Sequence, residues 1–281
     1  MDVRFQHSPC DVSKVKSVQF GILSPEEIRQ ISVALIEHGE TTEKGKPKVG
    51  GLSDPRLGTT ERKLKCETCM ASMAECPGHF GHLELAKPMF HIGFIKTVLT
   101  ILRCVCFNCS KILANKDDIR FKQALKIRNP KNRLRRIYDV CKGKRICYIT
   151  DETGGPEEED VIEFAKKKKG GCGAQQPNIT IDGMKIIAEY KISKKKNDNN
   201  QEQQINLENT EKKQLLTAEK VLNVLKRITN EDSQRLGFNP EYVRPDWMIL
   251  QTLPIPPLAT RPAVMMNTSN KSESLREGWK L

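Results

Sequence analysis

Aromatic side chains make up only 5% of this 281-residue chain, and hydrophobic residues of every kind only 37%. So little apolar material leaves a modest core with long polar segments around it. No apolar run approaches the length of a bilayer span, which sets a membrane partner aside. The opening "MDVRFQHSPCDVSKVKSVQF" lacks the continuous apolar stretch of a secretory signal, so a reducing compartment is expected. Walker A loops, Gly-x-Ser-x-Gly elbows and clustered aspartates for Mg²⁺ are missing as well, which excludes the familiar phosphoryl- and acyl-transfer chemistries. "GKPKVGG" is a lone glycine-rich turn. Acid is also in deficit: 35 Asp and Glu stand against 47 Lys and Arg, a net charge of +12.

What the chain does hold is cysteine, ten in all, in clusters. Where thiols are kept reduced, clustered spacings point to metal before disulfides. "CETCMASMAECPGH" offers Cys66-x2-Cys69 and then Cys76-x2-His79. A two-residue gap lets both side chains of a pair bend around one ion, and three thiolates with one imidazole form a closed tetrahedron suited to structural Zn²⁺. His82 is the rival to His79, which fits the Cys-x2-His spacing better. The second set is more dispersed: Cys106-x2-Cys109, then Cys141, Cys147 and Cys172, with Cys104 able to displace Cys106. Spacing alone leaves this as four ligands among six. Cys10 stands alone and is expected to be inert.

Both sets look full, so no position is left for water or substrate and a catalytic zinc is not expected. The deaminase pattern of His-x-Glu with Pro-Cys-x-x-Cys is missing, and a cross-braced RING would need a cysteine pair soon after His79. Zinc here reads as scaffold.

The basic excess is localised. From Lys111 to Arg145 there are 13 Lys or Arg against Asp117, Asp118 and Asp139. Such a face commonly meets an anionic polymer, nucleic acid first, with Arg133, Arg135 and Arg136 as candidate contacts.

Local patterns predict the elements. Ser24, Pro25 and Glu27 open a helix whose stripe Ile28, Ile31 and Leu35 runs to Gly39. "TTEKGKPKVGGLSDPRLGTTERK" reads as a turn-rich connector. Phe90, Phe94, Val98 and Leu102 predict one buried helix joining the two cysteine sets. Two short basic helices flank the break at Asn129-Pro130. "DETGGPEEEDVIEFAKKKKG" is expected to be a mobile loop. "NITIDGMKIIAEYKI" predicts a hairpin about Asp182-Gly183, and 194–214 a disordered insert. Thr217 caps a helix with Val221, Leu222, Leu225 and Ile228 on one face, Gly237 ends that region, and "DWMILQTLPIPP" is a strand entering a proline-rich turn. The whole is expected to be α+β, an irregular mix of helices and short antiparallel hairpins stabilised by zinc.

Taken together, "VKSVQFGILSPEEIRQISV", "GGLSDPRLG", "CETCMASMAECPGHFGHLELAKPMFHIGF", "ILRCVCFNCSKIL", "GGCGAQQP" and "LGFNPEYVRPDWMILQTLPIPP" resemble the amino-terminal part of the largest subunit of eukaryotic DNA-directed RNA polymerase II. The wording "ETTEKGKPKVGGLSD" and "GGCGAQQPNITIDGMKIIAEYKI" is similar to the plant form. The resemblance implies a mobile clamp in the nucleus that closes over DNA and the RNA–DNA hybrid, with the other polymerase subunits as partners. It implies two structural Zn²⁺, one on Cys66, Cys69, Cys76 and His79, the other on Cys106, Cys109, Cys147 and Cys172. Cys104 and Cys141 are then left to packing. On the same resemblance, 1–100 is the start of the clamp core with the first site and 101–175 the clamp head with the second. Residues 176–253 carry the hairpin, the insert and a helix, and 254–281 open the lid segment. "IPPLATRP" departs from the family's usual run of prolines. The likeness fades after about Leu275, as in a truncated chain. The family's catalytic Mg²⁺ loop lies beyond these residues, so polymerase activity is expected of the complex and no catalytic residue of this chain. The alternative from another class is a free-standing zinc-scaffolded module that binds nucleic acid or protein.

Overall fold

The computed structural model describes residues 12–115, 118–147, 171–190 and 213–261. The expected mobile loop, most of the expected insert, most of the lid segment and Cys10 lie outside them.

Helix α1 (Pro25–Ile31) begins as its sequence dictates: Ser24 Oγ accepts from the Glu27 N–H at 3.1 Å, and Glu27 Oε2 accepts from the Ser24 N–H at 2.7 Å. It ends at Ser32, well short of Gly39. Beyond that cap the chain turns extended, with Ala34 and Ile36 buried while Leu35 is exposed. The Val33 N–H donates to Phe80 O and the Ile36 N–H to His82 O, at 2.9 and 2.8 Å. A β-branched run found a strand to lie beside, and that partner outweighs the helical spacing.

At the start of the connector lies a small hairpin, β1 (Thr42–Glu43) with β2 (Lys46–Pro47), turning through Lys44 and Gly45 at φ +50 and +76. Strand β3 (Gly81–Phe90) was not foreseen and takes residues assigned to a helix. Phe90 closes the strand opposite Ile249, Phe94 is the N-cap, and only then does α2 (Ile95–Cys104) begin. Gly81 has no room for a side chain, since a Cβ there would meet Leu57 Cδ2 at 2.8 Å.

The basic helices form as expected. Helix α3 (Ile119–Leu125) is followed by α4 (Pro130–Cys141), where Asn129 Oδ1 accepts from the N–H groups of Lys131 and Asn132. Strands β4 (Asn178–Asp182) and β5 (Lys185–Glu189) make the predicted hairpin, with Gly183 at φ +57. A third strand, β6 (Lys213–Leu216), adds to β5 and includes the last two residues of the expected insert. Thr217 caps α5 (Ala218–Lys226), and α6 (Asn230–Leu236) stops at Gly237 in the left-handed region. Strand β7 (Ile249–Ile255) pairs antiparallel with β3, so residues about 170 apart in sequence share one ribbon. Its register breaks between Glu84 and Met89, where Pro88 has no N–H to offer.

The architecture is α+β: short helices and small antiparallel sheets. One core gathers Val98, Ile101, Phe121, Ile137, Ile186, Leu225 and Ile249. A second, smaller core of Ala34, Ile36, Leu57, Ile255 and Leu258 sits beneath the first cysteine cluster's supporting loop. At about 2 kcal/mol per buried large aliphatic side chain, five residues are a thin foundation.

Candidate metal centres and basic face

The two Cys-x2-Cys loops fold alike. In the first, the Cys66 N–H donates to Ala71 O at 3.0 Å and the Met70 N–H to Cys66 O at 2.8 Å. In the second, the Cys106 N–H donates to Lys111 O at 2.8 Å and the Ser110 N–H to Cys106 O at 2.9 Å. Met70 and Ser110, each next after the second cysteine, are left-handed at φ +57 and +58. The loop doubles back within six residues, and that closure forces the strained residue.

Cys76 and His79 face the first loop across a Pro-Gly turn. Gly78, at φ +83, lies against Pro257, where a Cβ would come within 2.5 Å of the proline ring. A half-buried ion pair holds the neighbouring loop: buried Asp54 and partly exposed Arg56 join at 2.6 Å. Leu57 O accepts from the His79 N–H and Arg56 O from Thr68 Oγ1. The ligand atoms of Cys66, Cys69, Cys76 and His79 all lie within 4.8 Å of one another. Rival His82 is elsewhere, its Nδ1 2.6 Å from Ser32 Oγ.

The second cluster brings together Cys106, Cys109, Cys147 and Cys172, again within 4.8 Å. Cys147 and Cys172 arrive on two backbones joined by Cys147 N–H to Ala174 O and Gly173 N–H to Cys147 O bonds. Gln176, buried and not singled out from sequence, ties the site together. Its Oε1 accepts from the Phe107 N–H at 2.9 Å, and its Nε2 donates to Cys106 Sγ at 3.1 Å and to Ala174 O. Only its place four residues after Cys172 in "GGCGAQQP" could have flagged it. From α5, Val224 O accepts from Ser110 Oγ at 2.8 Å and braces the loop.

The spacing of these atoms fits a metal. Sulfurs bound about 2.3 Å from one Zn²⁺ in a tetrahedron lie about 3.8 Å apart. Cys106 and Cys172 Sγ are 3.6 Å apart, Cys109 and Cys147 Sγ 3.7 Å, and Cys76 Sγ lies 3.7 Å from His79 Nε2. A disulfide would need about 2.05 Å. N–H groups of Gly78, Cys109 and Cys172 point at Cys76, Cys106 and Cys147 sulfur respectively, as thiolates require. With four protein donors each, both groups could hold an ion with no position left over.

Without metal the thiols do not share one acidity. Burial pushes Cys76 up to about 11 and Cys147 up to about 12, and raises Cys106. For Cys172 burial is outweighed by donors from Ala174, Cys106, Cys109 and Asn108, which bring it down to about 7. Cys104 and Cys141 join neither cluster. They form a buried pair in which the Cys104 thiol donates to Cys141, raising the first and lowering the second.

The chain matches the family model described as RNA polymerase Rpb1, domain 1, over residues 12–275. The chain belongs to that family. An Rpb1 chain is the largest subunit of a multisubunit polymerase, so its activity is DNA-directed RNA polymerase exercised within a complex. Other subunits, DNA and RNA are the family's partners.

On this Rpb1 domain the three candidate arginines of α4 differ. Arg133 is half-buried and donates from Nε to Ile127 O at 2.9 Å and from Nη1 to Gln234 O at 3.1 Å. Arg135 and Arg136 are exposed and line an open basin of about 520 Å³ with Asn132 and Asp139. No described helix is long and apolar enough to cross a membrane.

Proposed function

We propose that this chain is the zinc-stabilised clamp of a plant-like eukaryotic RNA polymerase II, a nuclear enzyme, and that it retains DNA and the RNA–DNA hybrid during transcription. Each of its two cysteine clusters holds one structural Zn²⁺: Cys66, Cys69, Cys76 and His79 the first, Cys106, Cys109, Cys147 and Cys172 the second. The observation that carries the reading is the pair of four-donor groups with sulfur spacings near a tetrahedron's edge, in a chain of the Rpb1 family.

The work is electrostatic and mechanical. Zinc ties strands that this small core could not hold, with folding free energy of order ~10 kcal/mol per site. Arg135 and Arg136 meet phosphates without reading bases, while Arg133 braces α4 and adds charge. Bond formation belongs to the assembled polymerase, whose Mg²⁺ the family holds on a segment outside this sequence.

Duplex binding by the full chain, measured by fluorescence anisotropy at increasing salt, tests the nucleic-acid part. Affinity should fall steeply with salt, and Arg135→Glu with Arg136→Glu should reduce the slope by about two. A flat salt response, or an unchanged slope in the double variant, removes α4 as the contact.

A further inference from the structure

A separate cavity of about 310 Å³ opens between α2, the end of α4 and the start of β4, with Gln176, which also donates to Cys106 Sγ, in its lining. Its floor is apolar and buried: Leu102, Val105, Leu113 and Ile179. Its rim is cationic. Lys142, Lys144 and Arg145 stand on the turn after α4, made by Gly143 at φ +90, and among the described residues the only carboxylate lining the cavity is Glu189. Lys142 and Arg145 are exposed, and Lys144 lies 3.9 Å from Asp118. The walls are fixed. Arg103 donates from Nε and Nη2 to Ile179 O and from Nη1 to the Tyr138 hydroxyl. Across from it, the Gln176 N–H donates to Arg145 O, and Ile146 pairs with Gln175.

We propose that this cavity docks an acidic peptide segment of a partner protein, with one large apolar side chain on the buried floor and flanking carboxylates on Lys142 and Arg145. Charge complementarity sets the sign of the occupant, and the floor sets its chemistry. A phosphate backbone needs cations and open access, which α4's outer face offers at Arg135 and Arg136. It makes no use of an apolar floor of Leu, Val and Ile. Stacked bases would need aromatic platforms, and among the described residues Tyr138 is the one ring lining the cavity. The volume lies at the low end of ligand cavities, suited to one side chain and its adjoining backbone. The two basic surfaces of this chain therefore take different partners.

The test uses the full zinc-loaded chain and a fluorescein-labelled dodecapeptide of glutamates flanking one phenylalanine, followed by anisotropy. The account expects saturable binding below about 1 mM. It expects at least a ~10-fold loss with Lys142→Glu plus Arg145→Glu and a ~5-fold loss when the peptide's phenylalanine becomes serine, from the usual size of buried-anchor and rim-charge effects. Arg135→Glu with Arg136→Glu should leave it unchanged, which keeps this result separate from the nucleic-acid reading. Lys142→Ala plus Arg145→Ala, with an unaltered circular dichroism spectrum, repeats the measurement should the glutamate variant fold poorly. Absence of binding overturns the proposal, as does indifference to the phenylalanine. So does equal displacement by a single-stranded oligonucleotide of matching charge, which would make the cavity a nucleic-acid contact.

Discussion

Asp54 is fully buried and accepts four hydrogen bonds: from the N–H groups of Gly50 and Arg56, and from Nε and Nη2 of Arg56. Burial alone would raise its pKa, but Arg56 and the two backbone donors hold it below the ordinary carboxylate value. A depressed folded-state pKa stabilises the fold above the unfolded value, and that contribution is lost as pH falls through the lowered one. At neutral pH it is fully present. Asp54→Asn removes the charge while keeping the shape, and should cost about 2–3 kcal/mol in urea unfolding at pH 7; an unchanged midpoint would refute the role assigned to the pair. Met70 is a second test. It is exposed, and only its φ of +57 argues against it. Met70→Gly should raise stability by about 0.5–1 kcal/mol in the same assay, whereas a loss would mean that the side chain matters more than the backbone. Neither residue was legible beforehand. "GGLSDPRLG" reads only as a turn, because a buried carboxylate announces itself by its partners and not by its neighbours in sequence. The first cysteine set was legible because Cys66-x2-Cys69 and Cys76-x2-His79 are local patterns, and the structure gathers those four donors into one group.

At the scale of elements, Asn129, legible only as a break before Pro130, proves to cap α4, while the helix caps at Ser24 and Thr217 were read correctly. Helix length was not. Ile31 and Leu35 kept helical spacing, yet the chain left the helix at Ser32 to lie beside β3. Strand β3 itself was missed because its partner β7 lies at the other end of the chain, and no local pattern carries that pairing. The knuckles make a prediction of their own. In the metal-free second cluster, Cys147, at about 12, and Cys106, also raised, are protonated at pH 7. A metal must displace those protons, so acid weakens binding and base strengthens it. The logarithm of the Co²⁺ association constant should rise by more than two per pH unit near neutrality, since Cys172, at about 7, is itself half protonated there. A slope near zero in a competition titration would show that the thiols are already ionised or are not the ligands.

For the whole molecule, composition gave the outline: few aromatics, thin cores and thiols to compensate. The α+β class followed from the mixture of local signals, and the resemblance named the second ligand set that spacing had left open. The arrangement of pieces did not follow. Gly78 against Pro257 and Ser110 against Val224 join each cluster to distant chain, so the knuckles serve as junctions and not as appendages. Loss of one metal should therefore be felt beyond its own loop. Elemental analysis of the purified full chain is the most direct test of that dependence on metal. The account predicts two zinc equivalents per chain, falling to one when Cys106 and Cys109 are both replaced by serine; a native-like chain with fewer than two equivalents, or two retained in that variant, contradicts it.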